Sequence, residues 1–323
     1  NRTAPGYHAQ YGLVAPVDIY PLYENATRAS WGQSLVEGQA ESGKIWSLFS
    51  KVAAKTDGAW IRQEKSAEEI CEVSLDNRPI AFPYTKFMVA NSSVNQGASF
   101  IVTSLEMARK RGVAENRIIH VGNGAAAHEN DDVLLRDRYD YSAGMEVSLT
   151  ETLKLNQMEL SDLDHAEIYS CFPCVPKMAR RVINWPEDRE ATVFGGLTFG
   201  GGPIGSYMNH AVVAMVEKLR KEGTNGLLFA NGGYATHNHS IVLSSQPVDA
   251  ATFPRDFDYQ AQADAKRDPT PVVDEAYDGA GTIESYTVFY GRDGSPRDGV
   301  VAARNAAGAR FLAKVAGDDA AMI

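Results

Sequence analysis

The sequence predicts an α/β fold, with helices packed on a mixed sheet. Three observations predict it. Short apolar, β-branched runs alternate with stretches of helical periodicity between residues 98 and 245. A glycine-rich stretch, 194–210, holds six glycines between Gly195 and Gly205 and runs straight into a helix pattern. After a polar segment, 246–275, alternating residues mark a small β module.

Composition narrows the classes. The 323 residues are 44% hydrophobic and 22% charged, which suits one large or two ordinary globular domains. A formal charge of −10, with Lys and Arg scattered, argues against a nucleic-acid partner and an anionic membrane surface. No apolar run approaches the ~20 residues of a spanning helix. No signal peptide is visible, and there are only three cysteines, Cys71, Cys171 and Cys174. A disulfide-free, cytoplasmic protein is therefore expected.

The elements follow in order. Residues 1–33, rich in Gly, Pro and Tyr, read as irregular. Ser34-Leu-Val-Glu37 has capping-box spacing, and Ile45, Leu48, Phe49 and Val52 continue one apolar face. Ser66-Ala-Glu-Glu69 is a second such start, and the prolines at 79 and 83 extend 78–84. Residues 98–104 read as a buried strand, 105–111 as a helix stopped by Gly112, and 117–121 as the next strand, together a βαβ unit. A helix over 145–158, a strand over 166–170 and a helix marked by Val175, Met178, Ala179, Val182 and Ile183 come next. Met208, Val212, Met215, Val216 and Leu219 form the helix face after the glycine stretch, which ends at Gly223. Strands over 226–230 and 239–244 close the core. The C-terminal module alternates through Ile283, Tyr286, Val288 and Tyr290 and turns at 291–294.

A glycine loop feeding a helix N-terminus leaves backbone N–H groups pointing outward, a ready anion or oxyanion site. A tight packing turn explains the same cluster. It is no phosphate loop, since no Gly-Lys-Ser/Thr follows, and it lacks the dinucleotide fingerprint. Cys171-Phe-Pro-Cys174 has redox spacing at a helix start, but thioredoxin-like chains have no such glycine stretch. His237-Asn-His239 puts two rings on one strand face. With no carboxylate or cysteine nearby in sequence, a solvated strand edge is the better reading and no metal site is expected.

The glycine stretch resembles the thiolase superfamily, whose members carry Gly-Gly, a short apolar run and Gly-His-Pro-x-Gly. Here these are Gly195-Gly196 and Gly201-Gly202-Pro203-Ile204-Gly205, with Gly202 at the histidine position. Asn91-Ser-Ser-Val-Asn-Gln-Gly-Ala-Ser-Phe resembles the family's Asp-Gly-Ala-Ala-Ala strand entry. Tyr169-Ser-Cys-Phe172 matches Asn-Glu-Ala-Phe or, in the sterol-carrier-protein type, His-Asp-Cys-Phe. Ala230-Asn-Gly-Gly-Tyr234 matches Cys-x-Gly-Gly-Gly. The likeness runs over 20–245 and is strongest to the thiolase-like acetyl-CoA acetyltransferase group, whose members carry an extra C-terminal β module.

The resemblance implies a thiolase-like layered αβαβα fold, in part. Residues 1–95 would be its loop region, 96–245 the α/β core, 246–274 a linker and 275–323 a small barrel-like, OB-like β module. It also implies that the family's nucleophilic cysteine lies upstream of this chain's start, so that an upstream segment or a second chain would complete the fold. A homodimer is common in the family. The implied function is acyl-CoA-dependent acyl transfer, with a coenzyme A thioester as substrate and no tightly bound cofactor. A retro-aldolase on β-hydroxyacyl-CoA and a non-catalytic acyl-CoA-binding subunit are the alternatives. Tyr169, Cys171, His210 and Tyr234 are the expected catalytic groups. Gly201, Gly202, Gly205, Tyr207, Asn231, Gly232 and Gly233 would shape the substrate pocket, the glycines offering N–H groups to the thioester oxygen.

Overall fold

The structure is a computed structural model that describes residues 6–248, 256–319 and 321. After a short α1 (Tyr7–Gln10), α2 (Pro16–Ser30) fills much of the stretch that reads as irregular. Pro16 opens it, and the Asp18 carboxylate accepts the Ala15 N–H at 2.8 Å. Its Tyr and Pro residues hide an apolar stripe of Ile19, Leu22, Tyr23 and Ala26. α3 (Leu35–Lys55) has the expected cap, with Ser34 and Glu37 exchanging hydrogen bonds, and α4 (Ala67–Cys71) repeats it with Ser66 and Glu69. The prolines after it frame two short strands, β1 (Pro79–Ala81) and β2 (Tyr84–Thr85).

The predicted βαβ unit does not form. Residues 94–103 have no backbone hydrogen bond to another element among the described residues, and Ile101 and Val102 are 92% and 75% exposed. β-Branched composition makes a strand possible, but a strand needs a neighbouring edge, and none of the described residues supplies one. α5 (Leu105–Lys110) is present with only Ala108 buried. β3 (His120–His128) starts where the second strand was expected and pairs antiparallel, not parallel.

The core sheet is β3-β6-β5-β4, completed by β4 (His165–Ile168), β5 (Asn225–Gly232) and β6 (His237–Ser244). β4 and β5 are parallel, while β5/β6 and β3/β6 are antiparallel. α6 (Ala143–Leu155) covers one face, where Ser148 Oγ meets Ser240 Oγ at 3.2 Å. α7 (Cys174–Val182) follows β4, and α8 (Tyr207–Leu219) packs Met215 against Gly226 of β5. The polar segment after β6 contains α9 (Gln260–Asp264), which lies on α6 and β3; its residues 249–255 lie outside those described.

β7 (Thr282–Tyr290), β8 (Pro296–Arg304) and β9 (Arg310–Ala316) form the C-terminal meander. It is joined by β1 and β2 into one linear sheet, β2-β1-β7-β8-β9, rather than closed as a barrel. Buried polar contacts pin the layers. Lys177 Nζ lies 2.5 Å from Glu24 Oε1 and 2.7 Å from the Gly38 carbonyl, tying α7 to α2 and α3. Arg310, with no exposed surface, bonds Glu284 and the carbonyls of Leu134 and Arg136. Among the described residues no helix is long and apolar enough to cross a membrane.

Candidate functional site

In open α/β sheets, ligands bind beyond the carboxyl ends of the parallel strands. Here β4 and β5 end side by side, opening into residues 169–173 and 233–236. Most expected site residues lie on these two turns or on the glycine stretch, and they fall into two groups.

The first group is Tyr169, Tyr207 and His210. The Tyr169 ring meets Tyr207 edge-on at 5.8 Å, and Phe194 lies 6.2 Å from Tyr207 and 5.3 Å from His210. The Tyr207 hydroxyl donates to Glu167 Oε1 at 2.6 Å. Glu167 also accepts from Thr192 Oγ1 at 2.8 Å and from the N–H groups of Val193 and Phe194. Loss of water outweighs these donors and pushes its carboxyl up to about 7. Burial likewise pushes the Tyr169 and Tyr207 hydroxyls up. His210 is 5% exposed, with Nδ1 3.1 Å from the Ser206 carbonyl. A carbonyl only accepts, so Nδ1 carries the proton and Nε2 is left an acceptor; it is buried with no partner. The Tyr169 hydroxyl also has no hydrogen-bond partner among the described residues.

The second group surrounds Tyr20. Its hydroxyl lies 3.0 Å from Asn231 Oδ1 and 3.2 Å from the Gly233 carbonyl, and accepts the Ala235 N–H at 2.8 Å. Asn231 Nδ2 donates to Asn238 Oδ1, so the Asn231 side chain is engaged at both ends and not free for substrate. Cys171 lies against Tyr20, and burial pushes its thiol up to about 12, which removes the thiolate a nucleophile needs. The Tyr234 hydroxyl donates to the Val14 carbonyl at 2.9 Å, so that proton is committed within the protein.

The glycine stretch runs between the groups as one π-helical turn, Gly196–Gly200, followed by α8. Gly196 has φ +70°, and a Cβ there would lie 2.6 Å from Phe49 and 2.7 Å from Ser170 Oγ. At Gly201, with φ +102°, a Cβ would strike Gln96 Oε1. The expected outward N–H row is largely consumed. Gly195 and Gly196 donate to Thr192 Oγ1, Leu197 to Ser170 Oγ, and Gly202 to the Asn91 carbonyl at 2.8 Å. Gly202 therefore offers nothing to a thioester, because residues 90–91 lie alongside and take its donor. Gly205 faces open space; Gly232 is the last residue of β5, and the exposed Gly233 opens the turn after it.

Sequence reasoning missed Glu167, Thr192 and Tyr20. A carboxylate inside the apolar strand His165–Ile168 is a readable signal for the first, since a buried charge needs a dedicated set of donors. Tyr20 left no signal, because its partners lie more than 200 residues away.

Residues 260–323 match the model of the thiolase-like protein type 1 additional C-terminal domain. Over 97% of its length the chain is similar, with TM-score 0.85 and 34% identity, to 69% of a monomeric SCP2-thiolase-like protein type 1 from Mycobacterium smegmatis. The chain belongs to this SCP2-thiolase-like family. Its fold is accordingly thiolase-like, and the additional C-terminal domain supplies β7, β8 and β9. Human mitochondrial 3-ketoacyl-CoA thiolase shares that fold at 14% identity and TM-score 0.50, over 70% of this chain and 59% of the enzyme. A second structure of the human enzyme, holding CoA, matches equally over 58% of its chain. No curated protein matches the chain. In this thiolase-like protein Tyr169 has a hydroxyl with no partner among the described residues, Gly202 is bonded to Asn91, and Ala230 lies opposite His239 on β6.

Proposed function

We propose that this thiolase-like protein binds acyl-CoA thioesters across the ends of β4 and β5, and that Cys171 does not carry an acyl group. The observation that carries the reading is the contrast at that strand end. The only cysteines there are buried, with thiols held protonated, while His210 keeps a buried, unpaired Nε2 and the Tyr169 hydroxyl has no partner among the described residues. Acyl transfer needs a thiolate nucleophile. The CoA held by the human relative supports the ligand class.

A specific observation favours a second reading, a carbon–carbon lyase on β-hydroxyacyl-CoA. The unpaired Nε2 of His210 suits the base that takes the hydroxyl proton, and Tyr169 suits the acid that protonates the resulting enolate.

Titration calorimetry with acetyl-CoA, paired with intact mass after incubation, tests the proposal. Binding with no mass increase is expected. An acetyl adduct mapped to Cys171, or no binding of any acyl-CoA, overturns it. For the lyase, His210→Gln should lower cleavage by about 10²–10⁴-fold, and unchanged turnover sinks that reading.

A further inference from the structure

The core-sheet face opposite α6 carries three histidines. His237 and His239 stand two apart on β6 and so share a face. The third, His128, ends β3 and reaches them through strand pairing: His128 lies opposite His237, and Ala126 opposite His239. The His128 ring centre is 4.5 Å from that of His237 and 5.7 Å from that of His239. Two imidazoles bound tetrahedrally to one zinc through nitrogens at about 2.0–2.1 Å place their ring centres about 5 Å apart. The observed spacings bracket that value.

The surroundings suit ligation. His128 and His239 are exposed, and the His237 side chain is 44% exposed. Thr236 Oγ1 lies 2.9 Å from His237 Nδ1. With the proton on Nδ1, donated to that hydroxyl, Nε2 presents its lone pair outward, the usual supporting arrangement for a metal-bound histidine. Asp131 Oδ1 stands 4.0 Å from the same Nδ1 and adds negative charge. The rings are not yet converged, and no group of three or more His, Cys, Asp or Glu among the described residues is set to hold an ion as it stands. Convergence asks for rotation of the exposed His128 and His239 rings toward His237, whose ring Thr236 holds, on Cβ positions set by the paired strands.

We propose that His128, His237 and His239 form a three-histidine site for a borderline divalent metal such as zinc, with its fourth position open to water. The site flanks the β5–β6 turn, since Gly232 pairs with His237. It stands apart from the acyl-CoA reading and does not depend on it.

The test is calorimetric titration of zinc chloride into the chelator-treated full chain, with no acyl-CoA present. One equivalent should bind, with protons released. His128→Gln and His239→Gln should each weaken binding at least about tenfold while circular dichroism stays unchanged. Cobalt(II) should give the visible absorption of a four-coordinate site in the wild type only. Absence of one-to-one binding overturns the proposal, leaving a solvated histidine cluster. So does equal affinity in both variants, which would put the metal elsewhere.

Discussion

The Glu167 carboxyl takes four donors, from Tyr207, Thr192, Val193 and Phe194, in a place without water contact. Its folded pKa of about 7 lies above the ordinary 4.5. Over that interval the folded chain holds a proton that the unfolded chain has released. Stability therefore falls as pH rises from about 4.5 to 7, and above 7 the cost of the buried charge is fully present, about 3 kcal/mol. Urea unfolding between pH 5 and 8 should show this decline in the wild type and a flatter profile in Glu167→Gln. A slope equal in both proteins would assign the effect elsewhere. The same residue shows what sequence can reveal at this scale. Tyr169, Tyr207 and His210 could be chosen by residue type and position; Tyr169 and Tyr207 meet edge-on, while His210 is joined to them only through the Phe194 ring. That Tyr234, Asn231 and Gly202 would be tied to Val14, Tyr20 and Asn91 could not be read, because each partner is remote in the chain.

Elements differ in how openly they are written. α3 and α4 carry their signals locally, as Ser34 with Glu37 and Ser66 with Glu69, and both form as expected. α2 was hidden by Pro21, which breaks a helical reading; it sits inside the helix, where its missing N–H gives up one i→i−4 hydrogen bond, and the buried stripe around it holds the helix together. Residues 98–104 fail in the opposite sense, since strand composition meets no partner edge. Their amides, lacking backbone acceptors, should exchange with deuterium within seconds by mass spectrometry, while β5 and β6 stay protected. Slow exchange at Ile101 and Val102 would mean that this segment is paired in solution.

At the scale of the molecule, Arg310 holds the C-terminal sheet to the core. Its guanidinium meets Glu284, two core carbonyls and the Tyr139 ring at 4.4 Å. Arg310→Met leaves those carbonyls buried without donors and should cost about 3 kcal/mol or more, measured by chemical unfolding; a loss below 1 kcal/mol would show that the anchor is dispensable. The sequence shows β7, β8 and β9 as a unit through their alternation. It hides that β1 and β2 extend the same sheet, because strand pairing over such a separation leaves no local trace.

That shared sheet constrains how the protein is made. Ala81 of β1 pairs with Phe289 of β7, the α2 carbonyl of Leu22 accepts from Ser285, and Tyr7 bonds Leu312. On the ribosome, α2 and β1 emerge long before any of these partners exist. The sides of α2 and β1 that face the C-terminal sheet must wait until β7 is made, so the nascent chain is a natural client for holding chaperones, and pairing across this sheet can begin only then.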